Sequence, residues 1–336
     1  MTTAQVTIFG TGHWALTLAD LAVRSGSLVC LYVRRPEQLA YMLENRRHPE
    51  FLPHVTLPSS VKLTGNLDEA AGHSLNWVIA VPSQFVRTLG RGLATTVSDD
   101  HHVVSASKGL ELSTFSRMTE VLRDEWSKDK HFPRIGALSG PNLADEVSRG
   151  LPCATVLATD QEDFEAWVQI IGKANLRLYH QTDVAGVELG GALKNVLAIA
   201  VGMADQLGLG DSAKAALMTR GLHEMGRLAV RLGANWNTLA GLSGLGDVVA
   251  TSSSPLSRNH WCGQELAKGR QLDQILAGTP MVVEGVGTAE AADALGKKLH
   301  IPMPITHEVV EIFHGKPVDM AIRDLMTRDL VSESEH

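Results

Sequence analysis

Val6-Thr7-Ile8-Phe9-Gly10-Thr11-Gly12-His13-Trp14-Ala15 is the stretch whose reading decides the fold. Four residues of β type run into a glycine, and a helical pattern opens just beyond a second one. The letters are GxGxxA, a variant of the fingerprint that holds a dinucleotide at a strand–turn–helix junction. Gly10 permits the tight turn, Gly12 has no Cβ to keep a pyrophosphate off the backbone, and Ala15 lets helix and strand pack closely. The helix N-terminus then offers unpaired N–H groups and a partial positive charge to phosphate. A glycine turn with no ligand can carry the same letters, so context decides. Here a strand precedes, an amphipathic helix over residues 15–24 follows, and a second strand over 28–33 comes next.

Outward from that turn, β-type runs recur at residues 77–81, 103–107, 135–139 and 154–158, with helical stretches such as 114–125 between them. Strand and helix in alternation predict a parallel, doubly wound sheet covered on both faces. Near Gln181-Thr182-Asp183 the pattern changes. Beyond it apolar residues recur at helical spacing, as over 213–232, with Asp211-Ser212 a candidate N-cap and Gly233 a candidate stop. The expected fold class is therefore α/β: an N-terminal Rossmann-like doubly wound parallel sheet over residues 1–183, followed by a C-terminal all-helical domain over 184–336. No repeat or low-complexity segment interrupts either half, and only the tail Ser332-Glu333-Ser334-Glu335-His336 reads as frayed.

Composition narrows the function classes. The 336 residues are 44% hydrophobic and 20% charged, with a formal net charge of −7. That is ordinary for a soluble protein of two domains. A mildly acidic surface argues against a broad nucleic-acid face and leaves room for a small phosphate site. Cys30, Cys153 and Cys262 lie far apart and read as reduced, buried thiols of a cytoplasmic protein. The chain enters its first strand with no charged leader, so no signal peptide is expected. The most apolar stretch, 196–204, is shorter than the ~20 residues of a membrane span.

The residues that follow the glycine turn suggest a cofactor and a chemistry. An NAD site usually has an acid about 20 residues past the glycines. This chain has Arg34-Arg35 there, a pair able to grip a 2′-phosphate, which favours NADP(H) while leaving NAD(H) open. A carbonyl reductase also needs a proton donor, substrate-holding groups and a cavity. Lys194, in Glu188-Leu189-Gly190-Gly191-Ala192-Leu193-Lys194-Asn195, is a candidate acid, with Gly190 and Gly191 clearing space for a ligand one turn away; a lysine that snorkels to solvent reads the same way. Lys108 in Ser107-Lys108-Gly109-Leu110 and Gly140 in Ser139-Gly140-Pro141-Asn142 lie at strand C-termini, where doubly wound sheets bind ligands. Asp247 could accept from substrate hydroxyls, and the run that ends Ser257-Arg258-Asn259 sets hydroxyl, guanidinium and amide donors side by side, a phosphate grip.

Taken together these segments resemble one family closely, the bacterial-type NAD(P)-dependent glycerol-3-phosphate dehydrogenases. The resemblance is carried by GTGHWALTLA (10–19), SKGLE (107–111), LSGPNLADEV (138–147), the long block VELGGALKNVLAIAVGMADQLGLGDSAKAALMTRGLHEM (187–225), GLSGLGDVVAT (241–251), SRN (257–259) and VVEGV (282–286). It implies reversible reduction of dihydroxyacetone phosphate to sn-glycerol 3-phosphate, supplying the backbone of glycerophospholipids. It implies that Lys194 is the proton-transferring group, that Lys108, Gly140, Asn142, Asp247, Ser257, Arg258 and Asn259 touch substrate, and that His13, Trp14, Arg34, Lys108, Ala144, Arg258, Val282 and Glu284 touch cofactor. Three positions depart from the family pattern: His13 and Ala15 stand where Ser and Gly are usual, and Asn142 where Ser or Thr is. A homodimer is compatible with the reading but not specified by it.

Two other readings compete. A β-hydroxyacid or 6-phosphogluconate type of dehydrogenase also pairs a helix lysine with an asparagine, but the Ser-Arg-Asn run and SKGLE argue against it. A non-catalytic nucleotide sensor would need neither Lys108 nor Lys194. Metal chemistry is not expected, because His307-Glu308-Val309-Val310-Glu311 has Glu where a zinc-binding HExxH needs its second His.

Overall fold

The β-type runs form one sheet in the computed structural model, which describes residues 3–279 and 281–329. The frayed tail expected at 332–336 lies outside the described residues. The strands are β1 (Gln5–Phe9), β2 (Leu28–Tyr32), β3 (Lys62–Thr64), β4 (Asn76–Ile79), β5 (His102–Ser105), β6 (Arg134–Ser139), β7 (Cys153–Ala158) and β8 (Leu176–Gln181). Their spatial order is β3-β2-β1-β4-β5-β6-β7-β8. Strands β3 to β6 are parallel, and the order reverses between β1 and β4, the switch point at which this arrangement opens a ligand crevice.

Successive residues alternate between two apolar layers. Ile8, Leu31 and Val78 belong to one, and Phe9, Cys30, Trp77 and Ile79 to the other. Burial on both faces is what makes these strands continuous apolar runs.

The sheet is not wholly parallel. β7 runs antiparallel to β6, and β8 follows β7. The link after β6 carries only the short helix Ala144–Ser148 and folds straight back. The Asn142 amide donates to the Ala154 carbonyl at 3.0 Å and accepts from the Thr155 hydroxyl at 2.8 Å, stitching the return against its own strand.

The chain forms two units. One comprises the chain up to Ser107 with Met118–Val184, and the other comprises Lys108–Arg117 with the chain from Ala185 onward. The helix expected over 114–125 accordingly begins only at Met118, because the preceding residues form a loop of their own.

The second unit is helical and built around Val184–Gln206, buried without a break from Gly186 to Ala204. At 23 residues this helix is long and apolar enough to cross a membrane, unlike its most apolar stretch read alone, but 89% of its most apolar window is buried inside the protein, as in a core helix. Glycines let the helix Arg258–Ala267 lie directly on it. A Cβ at Gly202 would fall 2.1 Å from the His260 carbonyl oxygen, and one at Gly263 2.0 Å from that of Ile199. The next helix, Gly210–Arg231, starts one residue before the Asp211-Ser212 cap read from sequence; Asp211 instead lies in the first turn, where its charge complements the helix dipole. It ends as expected before Gly233, which turns at φ +90°.

Candidate active site

In the sheet unit, the glycine turn has the geometry that its letters imply. Gly10 sits at φ +131°, and a Cβ there would fall 2.4 Å from the Ala80 carbonyl oxygen at the end of β4. Gly12 caps the helix His13–Arg24, and a Cβ on it would meet no protein atom within 4 Å. Room therefore stands open over the helix N-terminus, which fits a pyrophosphate. Ala15 is buried, Trp14 packs against the same core, and the Thr17 hydroxyl donates to the Ala144 carbonyl at 3.2 Å, so Ala144 lies alongside this helix.

An aromatic wall flanks the turn. The His13 ring lies 4.4 Å from that of Phe51, which stacks on His48 at 4.4 Å. His48 Nδ1 accepts from the Glu50 and Phe51 amides at 3.0 and 2.9 Å. Burial, with His13 and Arg35 nearby, holds His48 down at about 4, so it is neutral at ordinary pH. Nothing local in the sequence marks His48 or Phe51, which only folding brings to the turn. Arg34 and Arg35 are exposed beyond β2, with Arg34 over the Phe85 ring at 5.6 Å and Arg35 capping the helix Pro36–Asn45. Two exposed guanidinium groups at a helix N-terminus fit a ribose phosphate.

Gly140 and Asn142 have structural reasons of their own. A Cβ at Gly140 would fall 2.9 Å from the Thr155 Cα. Both Asn142 amide hydrogens are directed at β7, to the Cys153 Sγ at 2.9 Å and the Ala154 carbonyl. Cys153 is thus half-buried and hydrogen-bonded, unlike Cys30 and Cys262, whose thiols burial pushes up to about 11 and about 12.

The helical unit gathers most of the remaining candidates. Lys194 is buried midway along Val184–Gln206, and its ammonium donates to Asp247 Oδ1 at 2.8 Å and to the Thr251 hydroxyl. Thr251 in turn donates to Asp247 Oδ1 at 3.0 Å. Lys108 donates to the other oxygen, Oδ2, so one buried carboxylate bridges two ammonium groups. Asp247 opens the helix Asp247–Ser253 directly after a π-helical turn, Leu242–Gly246, a widening of the backbone that recurs at functional sites. Burial alone would raise the Asp247 carboxyl, but Lys108 and Lys194 outweigh it and hold it below the usual carboxylate range. Burial lowers Lys194 most, Asp247 opposes, and the Lys108 and Arg258 charges add to the lowering, leaving it at about 8.

The space beside Lys194 has a different use from the one read in sequence. A Cβ at Gly190 would fall 2.5 Å from the Ser243 carbonyl oxygen, so this glycine admits the backbone that presents Asp247 rather than a ligand. Thr251 was not singled out as a site residue. The signal for it was present, since it lies four residues after Asp247 on one helix face.

Ser257 caps the helix Arg258–Ala267, accepting from the His260 amide at 3.2 Å. Arg258, its first residue, is lowered by burial against the pull of Glu284, the first residue of the helix Glu284–Leu299. Asn259 donates to Asn195 Oδ1 at 2.9 Å and accepts from the Gly285 amide at 2.9 Å, which locks three helices together around the lysine. Val282 is exposed just before Glu284. His307, of the rejected metal pattern, lies 3.1 Å from Asp293.

A nucleotide turn on one unit and a buried lysine poised near neutrality on the other place the chain among the two-part nicotinamide-dependent dehydrogenases. Residues 5–165 match the family NAD-dependent glycerol-3-phosphate dehydrogenase N-terminus, and residues 183–323 match the corresponding C-terminus. The chain belongs to the NAD(P)-dependent glycerol-3-phosphate dehydrogenase family. It is 43% identical over 331 residues to glycerol-3-phosphate dehydrogenase (NAD(P)+) of Solidesulfovibrio magneticus, covering 98% of this chain and 100% of that one. Against the enzyme of the same name from Chlorobium luteolum it is 40% identical over 327 residues, covering 97% and 98%. The crystal structure of glycerol-3-phosphate dehydrogenase from Coxiella burnetii superimposes with a TM-score of 0.92 at 31% identity, over 97% of this chain and 99% of that one.

Proposed function

We propose that the chain interconverts dihydroxyacetone phosphate and sn-glycerol 3-phosphate with NADPH as its preferred reductant, and that Lys194 moves the proton. Residues 1–183 serve the dinucleotide in this reading, and residues 184–336 serve the substrate. The observation that carries it is the state of Lys194: buried, hydrogen-bonded to Asp247 and Thr251, and lowered to about 8. A group with that affinity both gives and takes a proton near neutral pH.

A bound nicotinamide would supply the hydride for reduction and take it up in oxidation. In reduction, the Lys194 ammonium donates a proton to the C2 oxygen, and the neutral amine is reprotonated from solvent. Asp247 and Thr251 hold the ammonium in one orientation. Lys108, Arg258 and Lys194 are three cations facing two carboxylates, Asp247 and Glu284, which leaves positive charge for a phosphate. Arg258 and Ser257, with the amide hydrogen of Asn259 not used on Asn195, are assigned to that phosphate. Gly10, Gly12, His13, Trp14 and Ala144 are assigned to the pyrophosphate end of the cofactor, Arg34 and Arg35 to its 2′-phosphate, and Lys108, Arg258, Val282 and Glu284 to its nicotinamide end. The product would supply glycerophospholipid backbones in the cytoplasm, the compartment that keeps cysteine thiols reduced.

The test is Lys194→Ala, assayed by nicotinamide absorbance with dihydroxyacetone phosphate and with NADPH and NADH in parallel. Turnover should be lost while NADPH binding persists. Intact turnover refutes the role of Lys194, and equal use of NADH refutes the preference.

A further inference from the structure

The segment Lys108–Arg117 belongs with the helical unit although its sequence neighbours on both sides belong to the sheet unit. It is a self-bonded loop. The Glu111 amide donates to the Ser116 carbonyl at 3.0 Å, the Phe115 amide donates to the Glu111 carbonyl at 2.7 Å, and Leu110 pairs with Arg117 in an antiparallel bridge. Phe115 takes φ +61°, a conformation that costs a non-glycine residue about 1 kcal/mol or more and persists only where surroundings impose it. Its ring packs against the core of the helical unit, in which Leu110 is fully buried. The last residue, Arg117, meets Glu188 at 2.8 Å in an ion pair with little exposure on either side.

We infer that Arg117 and Glu188 are positioning residues whose ion pair holds Lys108 in register on Asp247. The inference rests on the proposed role of Lys194. Glu188 and Lys194 lie on the same rigid helix, so an anchor on Glu188 refers the loop to the lysine that moves the proton. The bridge sets Arg117 opposite Leu110, two residues from Lys108, with only Gly109, at φ +144°, between them. Stability alone is a poor reason for such a pair, because buried ion pairs are often no more stabilising than apolar residues of the same volume. What an Arg fork and a carboxylate do provide is fixed geometry. With the pair gone, Lys108 would leave Asp247. The groups facing Lys194 would then be Asp247, Thr251 and the Arg258 charge, and with one cation fewer its ammonium would hold its proton to higher pH.

The experiment compares Arg117→Lys, the neutral double variant Arg117→Met/Glu188→Gln, and Lys108→Met. For the first two the KM for dihydroxyacetone phosphate should rise, about tenfold in the double variant and less in Arg117→Lys, with NADPH affinity within about twofold of the parent. The alkaline limb of the reduction rate should move to higher pH, in the same direction as in Lys108→Met. Adding Arg117→Lys to Lys108→Met should change nothing further, because both act through one ammonium. Parental KM and limb in a folded double variant overturn the inference, as does a lowered melting temperature with the limb unmoved. If the double variant does not fold, Arg117→Lys, which keeps the cation and loses the fork, decides by the same two readouts. Active Lys194→Ala would sink the underlying reading, whereas dead Lys194→Ala with indifferent Arg117 variants sinks this inference alone.

Discussion

Replacing Asp247 by Asn should move the pH dependence of ketone reduction downward. With Lys194 as the proposed proton donor, reduction needs it protonated, so the rate should be flat below about 8 and fall roughly tenfold per pH unit above it, whereas alcohol oxidation should rise towards the same point. The lowering of Lys194 from 10.5 to about 8 means that its ammonium is roughly 3 kcal/mol less favourable in the site than in water. Asp247, 2.8 Å away, is the anion that limits this loss. Opposite charges about 4 Å apart are worth about 4 kcal/mol at an effective dielectric of about 20, and even a quarter of that moves a pKa by about 0.7 unit. Asn keeps the shape and a hydrogen-bond acceptor but not the charge. The limb should fall by about one unit or more, so the rate at pH 8 drops about fivefold or more while the rate at pH 6 drops much less. The assay is single-turnover nicotinamide absorbance at saturating substrate from pH 6 to 10, which keeps product release out of the rate. A limb unmoved or displaced upward in Asp247→Asn would refute the electrostatic account of the lysine.

Three further outcomes follow from the geometry. Gly263→Ala forces a methyl to within 2.0 Å of the Ile199 carbonyl oxygen and should destabilise by about 1–3 kcal/mol, read as a melting temperature several degrees lower. Gly12→Val should leave the melting temperature nearly unchanged, since its Cβ meets no atom within 4 Å, yet abolish dinucleotide binding measured by fluorescence titration. Arg34→Ala/Arg35→Ala should raise the KM for NADPH about tenfold or more and leave that for NADH within about twofold, each lost charge-assisted contact being worth about 1.5–3 kcal/mol.

The sequence makes legible whatever short-range chemistry dictates. The glycine turn, the strand before it and the helix after it are one local motif. The helical half announced itself by period. Three features escaped. β3 is only Lys62–Thr64, too short for a pattern, and β8 pairs on one side only and leaves Arg177 and Tyr179 exposed, so neither shows the continuous apolar run of the inner strands. The direction of β7 depends on Asn142 reaching across the link, a pairing that no periodicity encodes. In the site, Lys194 and Asp247 stood out as polar residues in apolar surroundings, but the loop that carries Lys108 into the helical unit, and the approach of Ser243 to Gly190, are tertiary facts.

The helix Val184–Gln206 carries one more consequence, felt before the enzyme ever meets substrate. By length and composition alone, this segment meets the requirement for a membrane span. Lys194 falls near its midpoint, where a charge opposes insertion by about 2.5–3.5 kcal/mol on the biological scale. The ammonium assigned to proton transfer thus also biases the nascent chain away from the bilayer. A designer who replaced it with leucine would remove that opposition together with the proposed proton carrier.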